Sequence, residues 1–286
     1  MPTETIPAVK LGNTRVTGKE QFYTPKTLAR ELVTQIENVL GPLAGKNVLE
    51  PAGGTGAFIE AVIDRGVERV VSFDIEPLHE LVTEGNFLDQ QILDRNMITI
   101  SNPPFGRNNS LSIPFFNHAA DSSDAICFIV PRSWRKWSVT NRLDLRFELV
   151  LDIDLDIDYV DASDEALSNK SHLATCFQVW KNTGQTRKLV KVVDKGIIEK
   201  VTPDHADVSL TIFGYGCGKV KTEFEKVPNT TQMFLKLHHP QALQALESVD
   251  YSRFFKNTAY TEALSLQEIN YLLNEAIYGD PMIEGI

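Results

Sequence analysis

Cysteine is scarce in this chain. The three residues, Cys127, Cys176 and Cys217, lie far apart and form no CxxC pair. That excludes a disulfide framework and the common cysteine-based zinc sites, and a reducing compartment fits best. Long apolar runs are missing as well. No stretch approaches the roughly 18 residues of a membrane span, and the opening MPTETIPAVKLGNTRV has no apolar signal core. A cytoplasmic, nucleoid or nuclear location with no membrane partner is therefore expected. Basic charge is in deficit: 28 Lys and Arg stand against 38 Asp and Glu, a formal net charge of -10. Such a balance argues against a non-specific nucleic-acid coat, which would carry a basic face, but leaves room for a local basic groove. Internal repeats and low-complexity tracts are also missing.

What is present is an ordinary globular composition, 42% hydrophobic and 23% charged over 286 residues, enough for one large domain and a smaller one. Residues 1–20 are polar and aperiodic and read as an arm. In QFYTPKTLARELVTQIENVLGP, Leu28, Leu32, Val33, Ile36, Val39 and Leu40 recur at helical spacing. Thr24 is the expected N-cap there, Pro25 the first helical residue and Gly41-Pro42 the stop. Short apolar strands then alternate with helical stretches: KNVLEP, RVVSFDI, NMITISNPP, DAICFIVPR, FELVLDIDLD and HLATCFQVWK. That alternation predicts a parallel, doubly wound α/β sheet with ligand sites at the strand C-terminal ends. KNTGQTRK, at 181–188, reads as a boundary. Residues 21–185 form the expected larger domain, and residues 186–286 a smaller α+β one whose last helix opens on a capping box, Ser265 with Glu268, and ends at Gly279.

Three motifs carry chemistry in the larger domain. VLEPAGGTGAF places Gly53, Gly54 and Gly56 between the first strand and the next helix. Glycine there permits positive φ and removes Cβ atoms, so a ligand can lie against the backbone. The spacing does not match GxGxxG, which counts against a nicotinamide dinucleotide. One strand later, VVSFDIEP sets Asp74 and Glu76 about 20 residues beyond the glycines, where a carboxylate can accept from both hydroxyls of a ribose. Together they point to an adenosine-containing cofactor.

ITISNPPFGRNN ends a buried strand on Asn102, Pro103, Pro104 and Phe105. An exocyclic aromatic amine is a poor nucleophile because its lone pair is delocalised into the ring. An Asn side-chain oxygen and a proline carbonyl can each accept one N–H, pulling the nitrogen toward tetrahedral geometry with its lone pair aimed at an electrophile. The prolines hold the carbonyl in place. Phe105 offers a face for a base to stack on, worth roughly 1–3 kcal/mol.

With these motifs in this order, the chain resembles the S-adenosylmethionine (SAM)-dependent amino-methyltransferases, in particular adenine-N6 DNA methyltransferases of the gamma-type motif order with an NPPF motif. The resemblance covers roughly residues 21–181. It implies a Rossmann-like methyltransferase sheet, SAM as cofactor, base flipping, and a C-terminal target-recognition domain over 186–286. Thr24 of YTP resembles the family's cofactor-contacting threonine. Glu50, Ala52, Gly53, Gly54 and Gly56 fall in the turn that wraps the methionine moiety. Asp74, followed by Ile75, resembles the ribose-binding acid. In GNFLD, Asn86 stands where many members have an adenine-contacting Asp, and Phe87 resembles the adenine-packing aromatic. Tyr159, Phe177 and Trp180 are the candidates for a second base-stacking ring.

On the substrate side, PRSWRKWSVTNRLDLRF gathers Arg132, Arg135, Lys136, Arg142 and Arg146 with Trp134 and Trp137, basic residues interleaved with aromatics, as a backbone-tracking surface requires. Arg107 follows the NPPF loop and is expected to grip a phosphate or gate the pocket. FGYGCGKVK lacks the spacing and the Ser/Thr of a phosphate loop, and reads as a glycine-rich hairpin displaying Tyr215, Lys219 and Lys221. LDIDLDIDYVDASDE has period-2 alternation and no EF-hand glycine or terminal glutamate, so no metal is expected. DNA is the expected partner ahead of RNA, although NPPFGRNN also resembles the rRNA adenine methyltransferases. A non-catalytic SAM-binding scaffold is the alternative from another class, and a protein partner is left open.

Overall fold

A computed structural model describes residues 22–161, 173–281 and 283–285. The arm expected over 1–20 lies outside the described residues. The chain divides into two compact units. One takes the described residues up to Pro131 with those of Arg142–Arg187, and the other takes Arg132–Asn141 with those of Lys188–Ile286.

The first unit begins with helix α1 (Lys26–Leu40), which buries Ala29, Leu32, Val33 and Ile36. The apolar runs then become strands β1 (Asn47–Glu50), β2 (Arg69–Asp74), β3 (Thr83–Glu84), β4 (Met97–Ser101), β5 (Ser123–Pro131), β6 (Phe147–Leu155) and β7 (Thr175–Asn182), with helices α2 (Ala57–Ile63) and α3 (Ser112–Ala119) between them. They form one seven-stranded, Rossmann-like sheet in the order β3-β2-β1-β4-β5-β7-β6. Strands β1 to β5 are parallel neighbours, as in Val48↔Val70 and Val48↔Ile98. The expectation of a wholly parallel sheet is corrected at one place. Strand β7 runs antiparallel to both β5 and β6, with Leu155 at the end of β6 opposite Thr175 at the start of β7. Such a pairing is what a hairpin-like return gives, and an apolar run carries no sign of its direction.

Chain order reverses between β1 and β4: the chain leaves β1 toward β2 and leaves β4 toward β5. In an open α/β sheet a crevice opens at the strand C-terminal ends where this happens. The glycine turn follows β1 and the NPPF loop follows β4, so the fold brings together two motifs about 50 residues apart.

In the second unit, β8 (Val190–Val192) pairs with β13 (Ile283–Gly285). Strands β9 (Ile198–Lys200), β10 (Val208–Thr211), β11 (Val220–Lys221) and β12 (Gln232–Leu237) make an antiparallel sheet in the order β11-β10-β12-β9. Helices α4 (Trp137–Thr140), α5 (Ala242–Ser248), α6 (Ser252–Phe255) and α7 (Leu266–Tyr278) complete it. Leu210, Leu235, Leu246, Ile269 and Leu273 are among its fully buried core residues. Helix α7 has the expected capping box, Ser265 with Glu268, and ends on left-handed Gly279. Among the described residues no helix is long and apolar enough to cross a membrane.

Candidate active site

A cavity of about 400 Å³ opens at the switch point, within the usual range for small-molecule sites. Its wall brings together Asn102, Pro103, Pro104 and Phe105 from the loop after β4, Ala52 and Gly54 from the glycine turn, Asp74 and Ile75 from the end of β2, and Asn86 with Phe87. All four residues expected at the reacting amine therefore share one cavity with six of those expected at the cofactor. Thr24, Glu50, Gly53 and Gly56, also expected at the cofactor, do not line it.

Those four are packed into the support of the cavity. Glu50 is buried, and its Oε1 accepts from the Ser101 hydroxyl at 2.5 Å and from the Ala52 N–H at 3.3 Å. Burial raises its pKa well above the usual carboxylate range, with these two donors pulling the other way. Gly53 sits against strand β2: a Cβ there would collide with the Ser72 hydroxyl and come within 2.7 Å of Val82. Gly56 is left-handed, at φ 80°, and faces the His79 ring. The need for glycine at 53 and 56 is thus set by protein neighbours. Gly54 alone of the three lines the cavity, with the Tyr23 ring 2.9 Å from where its Cβ would be.

Asp74 fastens the glycine turn to β2. Its Oδ2 accepts from the Gly54 N–H at 2.8 Å and its Oδ1 from the Glu76 N–H at 2.9 Å. Burial raises its pKa above the ordinary value, against the pull of those backbone donors. Each carboxylate oxygen has a second lone pair, so acceptor capacity remains for a hydroxyl. Asn86 is used locally: its Oδ1 accepts from Leu88 N–H at 3.2 Å and its Nδ2 donates to Asp89 at 2.9 Å. Phe87 is fully buried between Phe73, Phe115 and His118, a fixed apolar wall.

The central geometry is at Asn102. Its Nδ2 donates to the Phe22 carbonyl at 2.9 Å and to the Thr24 hydroxyl at 3.2 Å. A carbonyl oxygen only accepts, so the end of the amide facing Phe22 has to be the nitrogen. Both amide hydrogens have partners, and Oδ1 is left as the acceptor of a cavity-lining side chain. Phe105 is 8% exposed, and its carbonyl accepts from the Leu111 and Ser112 N–H groups. The loop beyond it holds Gly106, Asn108 and Asn109 at φ between 55° and 67°, a conformation that only glycine and asparagine adopt readily.

Residues 22 and 23 contribute to the site without having been singled out in the sequence. The Tyr23 ring covers Gly54, and burial followed by the charges of Asp74 and Glu76 raises its pKa. Two adjacent aromatics just before a helix start were the available signal. Leu88, Leu111 and Phe115 also line the cavity, and their apolar character does not distinguish them from core.

Among the candidates for a second base-stacking ring, Phe177 and Trp180 are buried in β7, and Tyr159 packs on Phe22 at 5.3 Å. The residues expected to contact nucleic acid divide. Arg107 and Lys219 are exposed, and Arg132 and Arg135 partly so. Trp134 is 0% exposed, so its ring presents no surface to a nucleic acid. Lys136 is bound to buried Glu268 at 2.9 Å and holds α7 in place. Trp137 stacks on Tyr271 with centroids 5.5 Å apart. Arg146 is paired with Asp144 and Asp121. Trp134 is thus a core residue, and the Lys136 ammonium is engaged by a carboxylate of its own unit.

No family model matches the chain, and no curated protein matches it. Solved structures to which it is similar include a candidate RNA methyltransferase from Pyrococcus horikoshii, 20% identical over 61% of this chain and 93% of that one, TM-score 0.48. The M protein of the type I restriction enzyme EcoKI is 16% identical over 57% of this chain and 44% of that one, TM-score 0.45. The 23S rRNA methyltransferase ErmE is 14% identical over 58% and 71%, TM-score 0.41.

Proposed function

We propose that this chain is a SAM-dependent methyltransferase that modifies the exocyclic N6 amino group of adenine in DNA, taking the flipped base into the cavity above Phe105. The observation that carries the reading is the fixed amide of Asn102: its nitrogen is held by Phe22 and Thr24, which leaves its oxygen to receive an N–H. A proline carbonyl of the same loop accepts the second hydrogen. With both hydrogens held, the amine nitrogen is drawn out of conjugation and its lone pair is directed across the cavity. Phe105 supplies the stacking face that offsets the few kcal/mol needed to extrude the base.

The residues present fit SAM. Asp74 and Glu76 supply ribose acceptors at the end of β2, Ile75 and Phe87 an apolar slot for an adenine ring, and Gly54 a bare stretch of backbone. When bound, SAM supplies an electrophilic methyl on a sulfonium sulfur. The chain's task is to orient the amine, exclude water from the apolar cavity and keep the acceptors in register.

Incubation with methyl-labelled SAM and separate unmethylated DNA and RNA pools, followed by mass spectrometry of the nucleosides, tests the proposal. N6-methyladenine in the DNA pool is the expected product. Label in the RNA pool alone would move the substrate to RNA. SAM binding by calorimetry with no label in either pool would favour the non-catalytic scaffold.

A further inference from the structure

The sequence pattern sets Thr24 at a helix start and the family resemblance sets it at the cofactor, but the hydroxyl is engaged elsewhere. Helix α1 begins at Lys26 with Pro25 in the N-cap position and no side-chain cap bond. A residue before proline is kept out of helical backbone angles. Thr24 is thus held one residue short of the place from which a hydroxyl caps a helix. It is 6% exposed and does not line the cavity. Its Oγ1 instead accepts from Asn102 Nδ2 at 3.2 Å, 78 residues away in sequence.

We propose that Thr24 is a positioning residue whose buried hydroxyl, with the Phe22 carbonyl, fixes which end of the Asn102 amide meets the substrate. An amide nitrogen carries two hydrogens, and two acceptors are supplied, one by each residue. Phe22 alone would satisfy one hydrogen and leave the amide free to swing about its last torsion, because terminal torsions of Asn are broad. The Thr24 hydroxyl removes that freedom. Pro25 ensures that this hydroxyl is not diverted to the helix.

The kinetic half of this proposal rests on the methyltransferase reading, and the structural half does not. In ¹⁵N-labelled full-length protein the Asn102 side-chain amide pair is identified by its loss in Asn102→Ala. Thr24→Val, which removes only the hydroxyl, is expected to move that pair upfield and speed its exchange with water, and Thr24→Ser to restore it. With methyl-labelled SAM and unmethylated DNA, Thr24→Val is expected to lower kcat about tenfold, as loss of one orienting hydrogen bond allows, with SAM affinity and the KM for DNA unchanged and Thr24→Ser near wild type. Retained SAM affinity also reports a folded protein; if Thr24→Val does not fold, Thr24→Ala carries the same measurements. An unmoved Asn102 amide pair overturns the proposal, as does a loss of SAM affinity with kcat intact. Because the amide is read without any reaction, an inactive wild type strikes the functional reading alone.

Discussion

The hydroxyl of Ser101 donates to Oε1 of Glu50 over 2.5 Å, tying the end of β4 to the end of β1 across 51 residues of sequence. On the other side of β1, the Ser72 hydroxyl donates to the Glu50 carbonyl at 2.9 Å. Three neighbouring strand ends, β2, β1 and β4, are thus joined beneath the switch point by buried hydrogen bonds that need no ligand. The next residue after Glu50 and the next after Ser101 both line the cavity. The link therefore sets the spacing between the glycine turn and Asn102 before anything binds.

This link has a definite pH signature. The Glu50 carboxyl is raised in the folded protein, chiefly by burial, so its ionised form is the disfavoured one. Its favourable share of stability is fully present below the ordinary Glu pKa of about 4.3 and is lost as pH rises through the folded value. Glu50→Gln keeps an oxygen for Ser101 and Ala52 and carries no charge. Its melting temperature should match wild type in acid and exceed it increasingly as pH rises. A difference that stays constant with pH would remove the buried carboxyl from the account. Ser101→Ala should cost about 1–3 kcal/mol, the usual penalty for stripping a partner from a buried polar group, and more at high pH than in acid, because the Ser101 hydroxyl favours the ionised carboxylate.

The strands, the first helix and the last helix were legible because their apolar spacing is a local signal, as are the Gly41 stop of the first helix and the capping box of the last. So was the pairing of the glycine turn with Asp74, since βα units place such residues at strand ends in any doubly wound sheet. The start of the first helix was not, since Pro25 and not Thr24 takes the N-cap position. The lock on Asn102 was not legible, because nothing in FYT or SNPP states that residues 22 and 102 meet. Nor was the division of labour within the glycine turn. Gly53 and Gly56 look the same as Gly54 in sequence, and only the positions of Val82 and His79 separate packing from access. In the second unit, RSWRK has the composition of a binding surface, and the partner that claims its lysine, Glu268, lies 132 residues on.

Asn102 gives the sharpest contrast between two small substitutions. Asn102→Ala should lower methyl transfer at least about hundredfold, the scale seen when one preorganised electrostatic partner is removed, while SAM affinity stays within about twofold. Asn102→Asp keeps an acceptor but turns an oxygen toward the Phe22 carbonyl, where the nitrogen now donates at 2.9 Å. Two acceptors in contact repel, so the aspartate variant should be both inactive and less stable than the alanine one in thermal melts. Equal melting of the two would mean that the Phe22 contact contributes nothing.

On the proposed reading Asp74 couples cofactor affinity to pH. Its ionised form would accept from the ribose, and burial raises its pKa above the ordinary Asp value of about 3.9. SAM affinity measured by calorimetry should hold steady near neutrality and fall on acidification before an ordinary aspartate would titrate. Asp74→Asn should weaken binding about tenfold, in line with the loss of a charge-assisted hydrogen bond, and flatten the acid limb. Unchanged affinity in that variant would shift the ribose contact to Glu76.

Lys136 tests whether the basic stretch after β5 supports the fold or binds nucleic acid. Its ammonium meets both oxygens of Glu268, at 2.9 and 3.0 Å, and the side chain of Glu268 is only 3% exposed. Removing the lysine strands a carboxylate that also completes the α7 capping box. Lys136→Ala should therefore cost about 3 kcal/mol in denaturant unfolding, and Lys136→Met with Glu268→Leu should recover much of it, since a buried pair replaced as a unit is often tolerated. Charge at exposed Arg107 and Lys219 behaves differently. Arg107→Ala and Lys219→Ala should leave stability within about 0.5 kcal/mol while each weakens DNA binding and reduces the slope of log K against log salt by about 1. If Lys136→Ala instead changed the salt slope and left unfolding unaltered, the lysine would belong to the nucleic-acid surface and the ion pair would be incidental.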